Sequence, residues 1–155
     1  MPHDEASETD ALTNNERASR VLIVEDDPAF SDFLAWSLAE HGYSVHTAGN
    51  TREALQLLGR AVPSAAFDLV LSDIAMPGGP GTDLLFSSEV VARQTPVILM
   101  SGYATRELRA FVEDCGGDFL QKPFKLEQLF QCLLERLRAR SRAGMAAPAA
   151  QREAT

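Results

Sequence analysis

The chain contains few residues of the kinds that form disulfide frameworks or membrane spans. Its 155 residues include two cysteines, and apolar runs such as residues 97–100 are far shorter than a span. A membrane-crossing helix needs roughly 20 consecutive apolar residues, so we expect no membrane contact. Cys115 and Cys132 are widely separated and lack a metal-binding spacing. This usage is typical of reduced thiols in the cytoplasm.

Basic residues are also scarce. The chain has 14 Lys and Arg against 22 Asp and Glu, a formal net charge of -8. Because binding to nucleic-acid phosphates needs a basic surface, this balance argues against DNA binding. Residues 1–19 are polar and acidic and lack the basic start of a signal peptide, so we expect a disordered tail there. The composition favours one domain at residues 20–138, followed by a disordered tail at residues 139–155 without an output domain.

Within the central region, apolar runs alternate with helical patterns. Runs bounded in this way indicate parallel strands joined by crossover helices, and hence a doubly wound α/β fold. The run at residues 44–48 mixes polar and apolar residues, so we expect it at a sheet edge. The runs centre on Val21, Val45, Leu69, Val97 and Phe119.

Local signals predict where the helices begin. Asp27 followed by Pro28 is typical of a capped helix start, and Asn50 with Glu53 resembles a capping box. A third helix is expected to open at Thr82 and to continue through Val91. Further helical patterns begin at Thr105 and at Leu126, which gives five helices for five strands.

Polar side chains follow the predicted strands at one end of the sheet, where open parallel sheets bind ligands. Glu25 and Asp26 follow the first strand, Asp73 ends the third, Ser101 ends the fourth and Lys122 follows the fifth. If the first and third strands are neighbours, the carboxylates crowd together. Two carboxylates about 5 Å apart repel by roughly 3 kcal/mol at an effective dielectric near 20, so a cation is needed. Oxygen ligands in a small acidic cluster favour Mg2+.

Four short segments together resemble the receiver domain of bacterial two-component response regulators. They are residues 24–28 (VEDDP), 72–78 (SDIAMPG), 100–102 (MSG) and 122–124 (KPF), and the resemblance covers residues 20–138. It implies a flavodoxin-like, five-stranded parallel sheet with strand order 2-1-3-4-5 and helices on both faces. It also implies that an aspartate accepts a phosphoryl group from a sensor histidine kinase or a histidine phosphotransfer protein, with Mg2+ required.

The resemblance assigns a role to each acidic residue. Asp73 matches the phosphoacceptor, Asp26 matches a direct metal ligand, and Glu25, where Asp is commoner, matches a ligand acting through water. The backbone carbonyl of Ala75 matches a further metal ligand. The segment Gly79-Pro80-Gly81 departs from the usual residues and is expected to alter loop stiffness.

Other residues match the parts that respond to the phosphoryl group. Ser101 and Lys122 match side chains that contact phosphoryl oxygens, and Pro123 follows the lysine through a cis bond in the family. Phe119 matches the switch aromatic, although a strand aromatic is equally typical of plain core packing. Trp36 points away from the apolar face of the first helix and is a candidate partner contact, with partial burial by a neighbour as the alternative.

The expected function is therefore a signalling module rather than an enzyme. Phosphorylation would switch contacts with an unidentified protein target through the face formed by helix 4, strand 5 and helix 5. The chain would be a monomer or a weak, phosphorylation-dependent dimer. Alternatives are a phosphorelay intermediate, a phosphate sink, an unphosphorylated interaction module or a phosphohydrolase. The last is disfavoured because Ala75 stands where a second acid would follow Asp73 by two residues.

Overall fold

Five parallel strands form the centre of the computed structural model, which describes residues 17–146. The sheet order is β2-β1-β3-β4-β5, so the predicted flavodoxin-like topology is confirmed and the mixed strand lies at an edge. The strands are β1 (Arg20–Val24), β2 (Ser44–Ala48), β3 (Leu69–Asp73), β4 (Val97–Ser101) and β5 (Asp118–Gln121).

Helices connect the strands and begin where short polar side chains cap them. Asp27 accepts the N–H of Ala29 at 3.0 Å, and Asn50 accepts the N–H of Glu53 at 2.9 Å. Such bonds satisfy backbone donors that a helix leaves unpaired. The helices are α1 (Pro28–Glu40), α2 (Thr51–Arg60), α3 (Ser88–Arg93), α4 (Arg106–Asp114) and α5 (Leu126–Ala146), with 3-10 turns at Pro63–Ala65 and Gly81–Phe86.

The core has two layers because successive strand residues point to opposite faces of the sheet. In β1, Leu22 and Val24 pack with helices α2 to α4, whereas Val21 and Ile23 pack with α1 and α5. All four side chains are fully buried. Strands that are covered on both faces consist of nearly continuous apolar residues, which explains the sequences of β1, β3 and β4.

The third helix is divided, contrary to the single helix predicted from Thr82 through Val91. A 3-10 turn ends at Phe86, Ser87 is extended with ψ 142°, and α3 then begins. The Ser87 hydroxyl accepts the N–H of Val90 at 3.3 Å, so this residue starts a new helix. Serine competes with helical continuation through such local hydrogen bonds, and apolar spacing alone does not reveal it.

Helix α5 continues to Ala146, past residue 138, where the sequence predicted the end of the domain and the start of a disordered tail. The guanidinium of Arg140 donates to the backbone carbonyl of Asp68 at 2.9 Å, which fixes this part of the helix beside the sheet. Of the tails predicted at residues 1–19 and 139–155, residues 1–16 and 147–155 lie outside the described residues. Between residues 17 and 146, none of the helices has both the length and the apolar character required to cross a bilayer.

Candidate functional site

Three carboxylates meet at the carboxyl end of the central strands. Val24 of β1 is aligned with Ser72 of β3, so the residues that follow them lie side by side. Glu25, Asp26 and Asp73 each place a carboxylate oxygen within 4.8 Å of the others. Glu25 and Asp73 are buried, whereas Asp26 is exposed. The predicted acidic cluster is thus brought together by the pairing of β1 with β3.

A lysine from the far edge of the sheet lies against this cluster. The Lys122 ammonium is 3.1 Å from Oε2 of Glu25 and 3.1 Å from Oδ2 of Asp73. The Lys122–Pro123 peptide bond is cis. On the side of helix α1, the ammonium lies 4.7 Å from the ring centroid of Phe30. The lysine side chain therefore crosses the end of β4 to reach the first and third strands.

Burial and charge act in opposite directions on this pair. Burial raises the pKa of Glu25 above its ordinary value, although the Lys122 ammonium and the N–H of Asp27 lower it. Burial lowers the pKa of Lys122, but the hydrogen bonds to Asp73 and Glu25 outweigh burial and leave that pKa above its ordinary value. The ammonium is therefore held in its charged form between Glu25 and Asp73, and with Asp26 the site carries more formal negative than positive charge.

Backbone donors orient the carboxylates. The N–H of Ala75 donates to Oδ1 of Asp73 at 3.3 Å, and the N–H of Asp27 donates to Oε1 of Glu25 at 3.3 Å. Each acid thus has one oxygen on a backbone amide and the other on Lys122. Ala75 lies in the turn after β3, so its carbonyl belongs to the same edge of the sheet as the acidic cluster.

Ser101 and Phe119 lie on the side of the site formed by β4 and β5. Ser101 is buried, and its hydroxyl accepts the N–H of Tyr103 at 3.0 Å. The N–H of Lys122 donates to the Ser101 carbonyl at 2.8 Å, so the two strand ends are joined. Phe119 is half-buried against the layer of helices α2 to α4, and the guanidinium of Arg109 lies 4.9 Å from its ring centroid.

A groove of about 470 Å³ opens beside the acidic cluster, between α1 and the start of α5. Phe33, on its wall, is 47% exposed, and Trp36, one helical turn further along α1, is 65% exposed. Of the two alternatives for Trp36, the structure shows exposure rather than partial burial by a neighbour, and the residue stands near the groove rather than in the core. The groove is lined by Glu25, Asp27, Phe30, Phe33, Lys122, Pro123, Phe124 and Leu126.

Gly81 packs closely against the backbone of Asp73, a contact that the sequence did not indicate. A Cβ atom at this position would lie 2.0 Å from the backbone oxygen of Asp73 and 2.7 Å from the hydroxyl of Ser72. The N–H of Gly81 also donates to the carbonyl of Ile74 at 2.9 Å. Only glycine permits this close approach, but the sequence shows just a Gly-Pro-Gly turn whose neighbour across space is not visible.

Comparisons with known proteins agree with the fold. Residues 21–134 match the response regulator receiver domain family. The chain is 38% identical to the regulatory protein AtoC of Escherichia coli, covering 72% of this chain and 23% of that protein. It is 34% identical to the transcriptional regulatory protein TcrA of Mycobacterium tuberculosis H37Rv, covering 81% of this chain and 47% of that protein. The chain thus spans less than half the length of these relatives.

The likeness extends to solved structures. A CheY-like response regulator receiver domain protein from Methanospirillum hungatei superposes with a TM-score of 0.74 at 30% identity, covering 82% of this chain and 99% of that one. The five-stranded parallel sheet and the acidic cluster at its carboxyl end define a signalling domain with a phosphoacceptor fold. The chain belongs to the response regulator receiver domain family of two-component systems.

Proposed function

We propose that Asp73 accepts a phosphoryl group from the phosphohistidine of a sensor histidine kinase or a histidine phosphotransfer protein. The observation that carries this proposal is the placement of the Lys122 ammonium 3.1 Å from Oδ2 of Asp73 and 3.1 Å from Oε2 of Glu25. A buried carboxylate with a fixed cation beside it combines a nucleophile with a group that neutralises charge on the incoming phosphoryl oxygens.

The transfer replaces one bond to phosphorus with another. An Asp73 carboxylate oxygen attacks phosphorus, a P–O bond forms, and the P–N bond to the donor imidazole breaks with its electron pair left on nitrogen. Lys122 stabilises the charge on the phosphoryl oxygens throughout. The Ala75 N–H, which donates to Oδ1 at 3.3 Å, keeps the attacking carboxylate oriented.

The donor set fits a hard divalent cation. Three carboxylates with oxygens within 4.8 Å of one another, one of them exposed, are typical of a site where Mg2+ keeps several waters. Glu25, Asp26, Asp73 and the carbonyl of Ala75 would hold Mg2+. Bound Mg2+ would supply further positive charge to the phosphoryl oxygens.

The response would be carried by Ser101 and Phe119. Turning the Ser101 hydroxyl toward a phosphoryl oxygen would break its bond from the Tyr103 N–H. The space released would let Phe119 rotate away from Arg109, and the face formed by α4, β5 and α5 would change for a protein target. A new local charge biases such a two-state element. Because Ala75 offers no acid or base beside Asp73, slow self-dephosphorylation rather than enzymatic turnover is expected.

Recognition of the phosphoryl donor would use helix α1. Trp36 lies one helical turn beyond Phe33, which lines the groove beside Lys122, and both aromatic side chains are exposed. Aromatic side chains of this kind commonly anchor protein partners. A cytoplasmic location and a monomer or weak phosphorylation-dependent dimer belong to the same proposal.

Incubation with acetyl phosphate and Mg2+, followed by mass spectrometry of the peptides, tests the proposal. One phosphoryl group is expected on Asp73, and none on Asp73→Asn or after chelation of Mg2+. The matched control is Asp118→Asn, which changes an aspartate at the opposite end of the sheet and should label like the wild type. Failure of the wild type to label would overturn the proposal, and rapid release of phosphate from a phosphomonoester would favour a phosphohydrolase.

A further inference from the structure

Helix α1 presents an aromatic ring to the ammonium that the phosphoacceptor depends on. The Nζ atom of Lys122 lies 4.7 Å from the centroid of the Phe30 ring. Phe30 is half-buried and forms part of the groove wall beside the acidic cluster. Neither the apolar spacing of α1 nor the acidic motif before it indicates that this phenylalanine reaches the lysine.

The ammonium has three N–H donors and is surrounded on three sides. Glu25 and Asp73 accept from it at 3.1 Å each, and the face of Phe30 lies on a further side. An ammonium over an aromatic face is attracted by the negative charge of that face, most strongly where water is excluded. The Lys122 side chain is only a quarter exposed, so the ring replaces water around the cation.

Phe30 is held both at its backbone and at its ring. The N–H of Phe30 donates to Oδ1 of Asp27, the residue that caps helix α1, at 3.4 Å. Its ring also packs against Phe124, with centroids 6.1 Å apart and planes inclined by 56°. Phe30 is thus fixed to the first turn of α1 and to the segment that follows Lys122, so its position does not depend on the lysine.

We propose that Phe30 is a positioning residue that holds the Lys122 ammonium between Glu25 and Asp73, and that it accelerates phosphorylation of Asp73 through this contact. The second part rests on the proposed function. Without the ring, the ammonium is free to move toward water in the groove and spends less time beside Asp73. Since the lysine side chain has four rotatable bonds, contact with a fixed ring restricts the positions that its ammonium can adopt.

Leucine and tyrosine at position 30 separate this role from simple filling of space. Phe30→Leu keeps an apolar side chain but removes the aromatic face. Phe30→Tyr keeps the face, and its hydroxyl can extend into the groove. A merely structural role would make leucine the milder change, whereas the positioning role makes tyrosine the milder one.

The first readout is spectroscopic and needs no phosphorylation. The chain has only two lysines, Lys122 and Lys125, so NMR of protein labelled with 13C-lysine gives two ε-methylene signals. Lys125 is exposed and serves as an internal reference. The Lys122 ε-methylene protons should resonate upfield of those of Lys125 in the wild type and in Phe30→Tyr, because they lie against the ring. In Phe30→Leu the two signals should approach each other.

The second readout is the rate of Asp73 labelling by acetyl phosphate and Mg2+. We expect Phe30→Leu to be roughly three- to tenfold slower than the wild type, and Phe30→Tyr to be close to it. Phe86→Leu, the same change at a 61% exposed phenylalanine, is the control and should alter neither readout.

The proposal would be overturned if Phe30→Leu kept both the wild-type chemical shift of Lys122 and the wild-type rate of Asp73 labelling. It would also be overturned if the variant lost the upfield shift but kept the wild-type labelling rate. If the wild type itself does not label, the proposed function fails, and the lysine spectrum separately decides the ring contact.

Discussion

Acidic residues at the two ends of the sheet have different charged neighbours. At the amino end, Asp68 pairs with Arg17 at 3.3 Å, and Asp118 pairs with Arg136. Both arginines are nearly half exposed. At the carboxyl end, Glu25 and Asp73 share the ammonium of Lys122, and the three carboxylates of Glu25, Asp26 and Asp73 lie within 4.8 Å of one another.

The difference lies in the ratio of charges rather than in their number. Each pair at the amino end joins one acid to one arginine that is nearly half exposed, so it is neutral and contributes at most about 1 kcal/mol, and it leaves no surplus charge. Three carboxylates with one partly buried cation retain negative charge that a divalent ion would neutralise. A surplus of negative charge, and not the mere presence of acids, thus distinguishes the carboxyl end, where the proposed site lies, from the amino end.

The largest effects should come from removing the Lys122 ammonium, because its loss leaves the three carboxylates without a neighbouring positive charge. Lys122→Met is expected to slow labelling of Asp73 by acetyl phosphate about a hundredfold, since one fixed donor to the phosphoryl oxygens is lost. The same variant should bind Mg2+ about tenfold more tightly by calorimetry, because a competing positive charge is gone.

Lys125→Met is the matched control, since Lys125 is the other lysine of the chain and is exposed. It should leave both the labelling rate and the affinity for Mg2+ unchanged. Weaker Mg2+ binding in Lys122→Met would mean that the lysine organises the cluster rather than opposing the metal. It would contradict the view that surplus negative charge at the carboxyl end attracts the ion.

The next effect tests whether the carboxyl end depends on a close backbone contact. Gly81→Ala would place a Cβ 2.0 Å from the backbone oxygen of Asp73. We expect a loss of about 1–3 kcal/mol in the free energy of unfolding, measured with denaturant, together with slower labelling.

The control for this loop is Gly59→Ala, because a Cβ in helix α2 meets nothing closer than a Glu89 oxygen at 3.6 Å. Replacing a helical glycine should instead stabilise by about 0.5–1 kcal/mol. Equal stability of Gly81→Ala and the wild type would show that the loop yields, and would remove Gly81 from the site.

A smaller effect should separate chemistry from recognition at the carboxyl end. Trp36→Ala is expected to slow phosphoryl transfer from a phosphorylated histidine kinase about tenfold, by loss of an exposed aromatic anchor. Labelling by acetyl phosphate should stay normal, because the small donor does not contact α1. Phe86→Ala changes a similarly exposed aromatic on another face and should leave both unchanged. Equal loss of both activities in Trp36→Ala would reject the role.

The smallest effect belongs to the amino end. Burial raises the pKa of Asp118 above its ordinary value, although Arg136 opposes the rise. Ionised Asp118 therefore costs stability, and the folded state takes up its proton at a higher pH than the unfolded chain does.

As pH falls from neutral toward about 4, the wild type should gain stability relative to Asp118→Asn, by less than about 1 kcal/mol. Thermal unfolding of both proteins across this range measures the gain. A wild type that instead loses stability relative to the variant on acidification would show that the pair with Arg136 outweighs burial.

The sequence carried enough information to predict the sheet and the acidic cluster. Continuous apolar runs implied strands covered on both faces, and polar residues after those runs implied a site at the carboxyl end. Glu25 and Asp73 were therefore predictable, since β1 and β3 are neighbours. Lys122 was predictable only from the family resemblance, because its side chain has to cross the end of β4 to reach them. The break at Ser87 was not predictable from apolar spacing, because a local side-chain bond decides it.

Features that depend on contacts between distant segments were missed. The approach of Gly81 to Asp73 requires the path of the loop after β3, and the contact of Phe30 with Lys122 requires two side-chain rotamers. Neither has a periodic or compositional signal in the sequence. The continuation of α5 past residue 138 was also not visible in the sequence, because Arg140 finds acceptors at Phe67 and Asp68, which lie 72 or more residues away.

A titration with Mg2+ followed by backbone amide NMR addresses the contrast between the two ends most directly. Shifts are expected at residues 25–27 and 73–75, where negative charge is in surplus, and should saturate as for a single site. The amides of Asp68 and Asp118, whose carboxylates have arginine partners, should not move. Equal shifts at both ends, or none at the carboxyl end, would contradict the account.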